Sequence, residues 1–180
     1  MKIVTTELAD VVLVELHPHC DERGQFVELW RQDQLGPLGL PSRFVQVNWS
    51  HSRRGVLRGL HYQIEHPQGK LIHLITGNIF DVAVDLRRSS PTFGRVLSLN
   101  LSAERPCALY LPPGLAHGML VLSEWADVIY HCTDFYSPAN ERTLAWNDSE
   151  LAIPWPLDGP PLLSAKDSAG TSFAESECFS

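Results

Sequence analysis

The sequence KLIHLITGNIFDVAVDL, residues 70–86, contains two runs of aliphatic and β-branched residues on either side of a short turn signal. Apolar, β-branched runs of this length are typical of strands. The Thr-Gly-Asn triplet at 76–78 suits a tight turn, because glycine and asparagine accept the left-handed backbone angles that such turns need. The stretch therefore predicts a β-hairpin near the centre of the chain.

Further runs of the same kind extend this pattern, at 11–16, 25–30, 43–50, 56–63, 95–102, 107–111, 117–122 and 127–136. Turn signals such as SSPTFG (89–94) and LPPGLAHG (111–118) stand between them, and only RQDQLGPLG (31–39) favours a short helix. Many short strands without a long helical pattern are typical of a sandwich or a closed barrel. The sequence therefore predicts an all-β fold, a jelly-roll β-barrel or sandwich with a few short helices.

The length and composition of the chain favour one globular domain. The 180 residues suffice for one substantial core, and 44% apolar with 19% charged residues is ordinary for a globular protein. After WNDSELAIPWP (146–156) no alternating pattern returns, and residues 168–180 are predicted to form a loosely ordered tail. We therefore expect a single domain over residues 1–180.

The charge balance and the cysteines disfavour several classes of protein. A net charge of −7 argues against a nucleic-acid or membrane-surface partner, since both reward a basic face. No apolar run approaches the roughly 20 residues that span a bilayer, and the N-terminal residues lack the apolar segment of a signal peptide. The four cysteines form no C-x-x-C pair, which disfavours a zinc knuckle or a redox motif. We expect a cytoplasmic protein with reduced thiols.

Ionisable groups interrupt one of the predicted strands, in RGLHYQ at 58–63. Strict alternation places His61 and Gln63 on one face and Arg58 on the other. Gly59 could host a bulge that turns Arg58 and His61 toward one cavity. The alternative interpretation is a hydrogen-bonded core histidine and a surface arginine, and this strand alone does not decide between them.

Several other segments offer polar side chains to such a cavity. They supply Lys70, His117, Tyr130, Tyr136, Lys166 and Asp167. Ionisable groups on the inward face of a barrel are costly unless they are paired or used on a ligand. If Arg23 and Arg58 face the cavity, their guanidinium groups would suit bidentate binding of phosphate oxygens.

A metal site is the first alternative for this set of residues. His61 and His117 occupy places that correspond to the two motifs of metal-binding cupin barrels, but Gln63 stands where those proteins usually have a second histidine. Two imidazoles and an amide are a poor site for zinc or iron, which generally take three or four N, S or carboxylate ligands. We therefore predict a metal-free barrel.

Several long motifs, in order, resemble the dTDP-4-dehydrorhamnose 3,5-epimerase family. They are DERGQFVELW, FVQVNWSHSRRGVLRGLHYQ, QGKLIHLITGNIFDVAVDLRRSSPTFG, LSAERPCALYLPPGLAHGMLVLSE, YHCTDFYSPANE, WND and LSAKD, from about residue 2 to about residue 168. The resemblance implies a cupin-like jelly roll that forms homodimers. It also implies inversion of C3 and C5 of a 4-keto-6-deoxyhexose carried on dTDP, on the way to dTDP-L-rhamnose, with no cofactor.

The resemblance also implies roles for individual residues. His61 is the general base, oriented by Asp167, with Asp148 as the second choice for that partner. Tyr130 is the acid on the opposite face of the sugar, and Lys70 lies beside the C4 oxygen. The nucleotide- and sugar-binding positions are Arg23, Glu28, Gln46, Asn48, Arg58, His117, Glu141 and Lys166.

The chain departs from the family pattern at two neighbouring positions, where Val47 and Trp49 replace residues that are commonly polar. Other functions also stay open at this point. The nearest are an epimerase that inverts only one carbon of a 4-keto-6-deoxy sugar nucleotide and a ketoisomerase that shifts the keto group. A non-catalytic cupin that binds a small ligand and a metal-dependent cupin dioxygenase are more distant alternatives.

Overall fold

The structure is a computed structural model that describes residues 2–180. The strands are β1 (Lys2–Thr5), β2 (Val12–Glu15), β3 (His19–Asp21), β4 (Gly24–Phe26), β5 (Gln46–Arg53), β6 (Leu57–Gln63), β7 (Lys70–Thr76), β8 (Asn78–Asp85), β9 (Val96–Ser102), β10 (Cys107–Leu111), β11 (Leu115–Val121), β12 (Trp125–Cys132) and β13 (Glu141–Thr143). The helices are α1 (Gln32–Leu35) and α2 (Ala165–Ser168), with 3-10 turns at Gly36–Leu38 and Phe173–Glu175. The all-β prediction and the short helix within 31–39 are confirmed.

Two antiparallel sheets form the body of the protein. The larger has six strands in the order β1-β2-β10-β7-β12-β5, and the smaller has five in the order β13-β6-β11-β8-β9. β3 and β4 form a separate hairpin. Strands β1, β3 and β13 were not predicted, since three or four residues carry too little pattern to be recognised. The predicted runs at 25–30 and 127–136 end earlier, at Phe26 and Cys132.

The predicted hairpin at 70–86 is wrong, although both of its strands are present. β7 belongs to the six-stranded sheet and β8 to the five-stranded sheet, so the turn carries the chain from one sheet to the other. Gly77, at φ +84°, passes so close to the segment after β11 that a Cβ would collide with the Trp125 carbonyl oxygen. The Asn78 N–H donates to Ser123 Oγ at 2.8 Å. Alternation identifies the faces of a strand but not the sheet to which it belongs.

The space between the sheets is apolar in one part and polar in another. An apolar cluster inside the barrel includes Ile72 of β7 and Val128 of β12. Lys70 lies two positions from Ile72 on β7, and Tyr130 lies two positions from Val128 on β12. Both side chains therefore point to the same inward faces as these apolar residues. The interior thus changes from a packed core to a cavity along individual strands.

Two irregular segments cover the outer faces of the sheets. Residues 27–44 cover the six-stranded sheet through a cluster around Leu35, and residues 144–179 cover the five-stranded sheet through a cluster that includes Trp155. Because these segments shield the inner strands of the sheets on both faces, strands such as β8 are buried at nearly every position. The second cover also brings α2 to the mouth of the barrel.

The loosely ordered tail predicted at 168–180 is corrected by the contacts of this segment. Phe173 and Phe179 pack against the cluster on the outer face of the five-stranded sheet. The Phe179 N–H donates to the Leu86 carbonyl at 2.9 Å, and its carbonyl accepts from the Arg88 N–H at 2.8 Å. Isolated aromatic residues in a Ser- and Ala-rich stretch gave no periodic signal, yet they seal an apolar sheet face.

Candidate active site

A bulge in β6 orients the polar side chains of RGLHYQ. His61 pairs with His117 and Arg58 pairs with Met119, so two residues of β6 oppose the single residue Gly118 of β11. The extra residue changes the alternation, and Arg58 and His61 therefore face the same cavity. The bulge predicted at Gly59 is confirmed.

Glycine is required on both sides of this bulge. Gly59 has φ +114°, and a Cβ there would lie 2.6 Å from the Gly118 Cα. A Cβ on Gly118 would lie 2.7 Å from the Arg58 carbonyl oxygen. The two backbones touch at this point, which fixes the position of the strand that carries His61.

The cavity has a volume of about 300 Å³ and opens at one end of the barrel. Most of the residues predicted as site residues line it: Asn48, Arg58, His61, Lys70, His117, Tyr130, Glu141 and Lys166. Gln46 lies beside them, where its Nε2 donates to Asn48 Oδ1 at 3.0 Å. Six strands from both sheets, β5, β6, β7, β11, β12 and β13, therefore contribute to one polar cavity.

Asp167 lies behind His61, at the start of the short helix α2. Its Oδ1 is 2.6 Å from His61 Nε2, and it also accepts from Ser164 Oγ at 2.7 Å and from the Gly59 N–H at 3.2 Å. Burial of this carboxyl opposes ionisation, but the hydrogen bonds from His61 and Ser164 outweigh it and lower the pKa to about 2. A charged carboxylate is thus held against one nitrogen of the imidazole.

Asp148, the second choice for this role, is elsewhere. Its Oδ1 accepts from the N–H groups of Glu150 and Leu151, and its Oδ2 accepts from the Phe173 N–H. These bonds fix the covering segment and leave Asp148 away from His61.

Tyr130 faces the cavity from β12, in the sheet opposite to that of His61. Burial raises the pKa of its phenol to about 12. The hydroxyl is 3.3 Å from Ser50 Oγ, and the ring lies edge-on to that of His117 with centroids 6.1 Å apart. The imidazole of His61 and the phenol of Tyr130 therefore approach the same space from opposite walls.

Lys70 and Glu141 add charges of opposite sign to the cavity. Burial lowers the pKa of the Lys70 ammonium, whose Nζ donates to the His61 carbonyl at 3.4 Å. Burial opposes ionisation of the Glu141 carboxyl. Hydrogen bonds from Lys166 at 2.8 Å and from the Tyr136 hydroxyl at 2.9 Å outweigh this effect and lower its pKa. Tyr136, Glu141 and Lys166 form a bonded group at the rim of the cavity.

Two predicted binding residues do not reach this cavity within the chain. Arg23 lies at the tip of the β3–β4 hairpin, where its exposed guanidinium pairs with Asp21 at 2.5 Å. Glu28 is 3.5 Å from Arg31, also outside the cavity. Arg23 and Glu28 therefore stay predictions as binding residues, since neither lines the cavity of its own chain.

Of the two departures from the family pattern, Val47 is 60% exposed and points away from the cavity. Trp49 borders the cavity, but its indole N–H donates to Asp127 on the outer face of the six-stranded sheet at 2.9 Å. The side chains that alternate with them on the inward face of β5 are Asn48 and Ser50. Both replacements thus fall on the outward face of this strand.

The amide of Gln63 is occupied by backbone groups. Its Nε2 donates to the His66 carbonyl at 2.8 Å, and its Oε1 accepts from the Ser137 N–H at 2.9 Å. Gln63 thereby holds the loops at the cavity mouth. Over residues 2–180, no group of three or more His, Cys, Asp or Glu side chains is arranged to hold a metal ion.

Sequence reasoning missed Asp81 and Ser50. Asp81 of β8 is 2% exposed and lies 2.9 Å from His117 Nε2. Its signal was available, because a carboxylate in the middle of IFDVAVDL is as anomalous as the histidine in RGLHYQ. Ser50 gave no such signal, since a serine near the middle of a strand is common.

Comparison with known proteins identifies the family. The family model described as dTDP-4-dehydrorhamnose 3,5-epimerase matches residues 5–175. The chain belongs to this epimerase family. A dTDP-4-dehydrorhamnose 3,5-epimerase of Pseudomonas aeruginosa is 51% identical in an alignment 180 residues long that covers 99% of each chain.

Solved structures of the epimerase family share the fold. The dTDP-6-deoxy-D-glucose-3,5-epimerase RmlC of Legionella pneumophila, in complex with dTDP-4-keto-L-rhamnose, is 43% identical with a TM-score of 0.94, over 98% of this chain and 94% of the other. ChmJ of Streptomyces bikiniensis, a 3′-monoepimerase in complex with dTDP-quinovose, is 37% identical with a TM-score of 0.88, over 94% and 86%. The fold is the cupin-like jelly roll of these epimerases. Between residues 2 and 180, no helix has the length and apolar character needed to cross a membrane.

Proposed function

We propose that the cavity carries out the reaction of the family by proton transfer between two walls. The reaction inverts C3 and C5 of dTDP-4-dehydro-6-deoxy-D-glucose to give dTDP-4-dehydro-L-rhamnose, in dTDP-L-rhamnose biosynthesis. One observation carries the mechanism: His61 and Tyr130 face one cavity from opposite sheets. Inversion at carbon needs a base on one face of the sugar and an acid on the other.

The substrate itself makes the carbon acids reactive. A proton on a carbon next to a ketone can be removed because the negative charge moves onto the carbonyl oxygen as an enolate. C3 and C5 both flank the C4 ketone, so the same ketone serves both inversions. Since the substrate provides its own electron sink, we propose that the reaction uses no cofactor.

His61 acts as the base in this mechanism. Its Nε2 faces the ionised Asp167, which can only accept, so Nε2 carries the hydrogen and donates it. The lone pair of the neutral imidazole is then on Nδ1, the nitrogen left for the substrate. Asp167 thereby sets the tautomer and stabilises the imidazolium that forms when the proton is taken, as carboxylates do in hydrolase triads.

Tyr130 supplies the proton on the opposite face. A phenol with a pKa of about 12 keeps its proton at neutral pH, yet it can give this proton to a carbanion, which is a much stronger base. Lys70, whose ammonium lines the same cavity, donates in this mechanism to the C4 oxygen as negative charge develops there. Such a preorganised donor is worth about 3 kcal/mol in the transition state.

We propose that Arg58, Lys166 and the neighbouring polar groups bind the nucleotide diphosphate. Arg58 is held by a hydrogen bond from its Nε to Ser52 Oγ at 3.0 Å, and its charge borders the cavity.

We also propose that residues 1–180 act as one domain. This is supported by α2, because the C-terminal segment that covers the barrel supplies Asp167 to the site. The four unpaired cysteines support a cytoplasmic location.

We further propose that the enzyme works as a homodimer. The hairpin of β3 and β4 stands apart from both sheets and carries Arg23 together with Phe26, whose side chain is 70% exposed. A large exposed aromatic ring on a projecting hairpin is typical of a contact surface. If Arg23 binds the ligand, it does so in the cavity of a second copy of the chain.

Deuterium incorporation tests the double inversion. In D₂O, we expect the sugar to take up deuterium at both C3 and C5, as measured by NMR of the product, and coupling to a 4-keto reductase to give dTDP-L-rhamnose. The rival is a single-site epimerase of the kind represented by ChmJ. Uptake at one carbon only would contradict the double inversion and favour this rival.

A further inference from the structure

A second imidazole–carboxylate pair lies beside the first. His117 of β11 is the direct cross-strand partner of His61, and its Nε2 is 2.9 Å from Asp81 Oδ2. This pair is more deeply buried, since the side chains of His117 and Asp81 are 6% and 2% exposed, whereas that of His61 is 25% exposed. The mechanism described above uses His61 and Asp167 but assigns nothing to Asp81.

The contacts of Asp81 determine which nitrogen of His117 carries hydrogen. Within residues 2–180, the only side chain that donates a hydrogen bond to Asp81 is that of His117. A buried carboxylate needs a donor, and a ring nitrogen with a lone pair would repel it. The hydrogen of a neutral His117 therefore resides on Nε2 and points at Asp81.

The other nitrogen of His117 is left to the cavity. Nδ1 has no hydrogen-bond partner among the described residues, and His117 lines the cavity wall. With the hydrogen on Nε2, Nδ1 is an acceptor. An acceptor at this place suits a hydroxyl group of the ligand rather than an ionised oxygen of a phosphate, which has no hydrogen to donate.

The chemistry of the substrate restricts which hydroxyl can fill this place. In a 4-keto-6-deoxyhexose on dTDP, C1 carries the diphosphate, C4 is the ketone and C6 is a methyl group, so free hydroxyls remain on C2 and C3. The C3 hydroxyl changes its direction when C3 is inverted. The C2 hydroxyl stays in place, and a fixed acceptor can therefore hold it throughout the reaction.

We propose that Asp81 is a positioning residue that fixes His117 with Nδ1 toward the cavity, where it accepts a hydrogen bond from the C2 hydroxyl of the sugar. The proposal rests on the proposed function of the cavity. It makes the Asp81–His117 pair a specificity element for 2-hydroxy sugars, distinct from the proton-transferring pair of His61 and Asp167.

The role of Asp81 is tested by comparing two proteins on two substrates. The full chain, wild type and Asp81→Asn, is assayed with dTDP-4-keto-6-deoxyglucose and with its 2-deoxy analogue. For the wild type, we expect kcat/KM to fall roughly 10–100-fold with the analogue, since a buried acceptor is left unfilled. In Asp81→Asn, which frees the ring to hold its hydrogen on Nδ1, this ratio should shrink to under about 3-fold.

The matched control is Asp127→Asn, which removes a carboxylate from the imidazole of His51 on the outer face of the six-stranded sheet. It should keep the wild-type ratio between the two substrates. An unchanged ratio in Asp81→Asn would overturn the proposal, because a merely structural role would lower both rates alike.

The tautomer can be measured independently of turnover. In ¹⁵N-histidine-labelled wild-type protein, with the His117 signals assigned by their loss in His117→Gln, we expect the hydrogen on Nε2. Finding it on Nδ1 would overturn the inference. A wild-type enzyme that turns over neither substrate would contradict the proposed function instead, while the tautomer would still decide the role of Asp81.

Discussion

Two imidazole–carboxylate pairs of nearly equal length lie in different parts of the molecule. In the cavity, His61 Nε2 is 2.6 Å from Asp167 Oδ1, and on the outer face of the six-stranded sheet, His51 Nδ1 is 2.8 Å from Asp127 Oδ1. Both pairs have the contact that prepares a histidine to accept a proton. Their chemical groups alone do not distinguish them.

The two pairs differ in what faces them. His51 stacks on Trp125, with ring centroids 4.6 Å apart, and its side chain is 48% exposed to solvent. His61 faces a cavity across which the Tyr130 phenol holds a proton. The comparison teaches that an imidazole–carboxylate pair becomes a candidate catalytic group only where a second proton-transferring group lies across a cavity that can hold a substrate.

The largest expected effect separates the two histidines. His61→Ala and His61→Asn should abolish epimerisation, with losses of more than about 10³-fold, because no other group would take the proton from the carbon. The measurement is the initial rate of product formation. His51→Asn is the matched control and should stay within about twofold of the wild type; a comparable loss there would remove the distinction between the pairs.

The next effect concerns the carboxylates. Asp167→Asn should lower kcat on the order of 10³-fold, because an amide lets the His61 hydrogen move to Nδ1, where the lone pair is needed. Steady-state kinetics at pH 7.5 would measure this loss. A decrease in Asp167→Asn no larger than in Asp127→Asn would show that the carboxylate does not set the tautomer.

A smaller effect should appear in stability at low pH. In the folded protein, hydrogen bonds from His61 and Ser164 outweigh the opposing effect of burial and lower the pKa of Asp167 from its ordinary value of 3.8 to about 2. A carboxyl with a depressed pKa stabilises the fold above its unfolded pKa, and this contribution, about 2 kcal/mol, is lost as the pH falls from about 4 toward 2. Urea unfolding at pH 6 and pH 3 should therefore show a weaker pH dependence in Asp167→Asn than in the wild type. Equal dependence in the two proteins would contradict the depressed pKa.

The strands were largely predictable from the sequence, but their assignment to sheets was not. The two runs in residues 70–86 are strands, yet the turn between them joins two sheets, because pairing is decided by partners far away along the chain. The apolar contacts of Phe179 were hidden for the same reason. A single aromatic residue gives no periodic pattern, and its packing depends on a sheet face formed by residues far away along the chain.

The site was predictable where a polar residue interrupted an apolar pattern. RGLHYQ and its glycine indicated a cavity and a bulge, and both are present. Asp81 carried the same kind of signal, but its partner His117 is 36 residues away and becomes a neighbour only through strand pairing. The distance of Arg23 from the cavity could not be predicted, since nothing in DERG indicates a projecting hairpin.

The central claim, that base and acid act from opposite walls, is tested most directly by Tyr130→Phe in D₂O. This variant keeps His61 and the ring of Tyr130 but loses the proton on the far face. We expect NMR to show exchange of the abstracted proton with solvent while the configuration of the sugar is retained. Normal formation of the inverted product by Tyr130→Phe would contradict the account, because another group would then supply the proton.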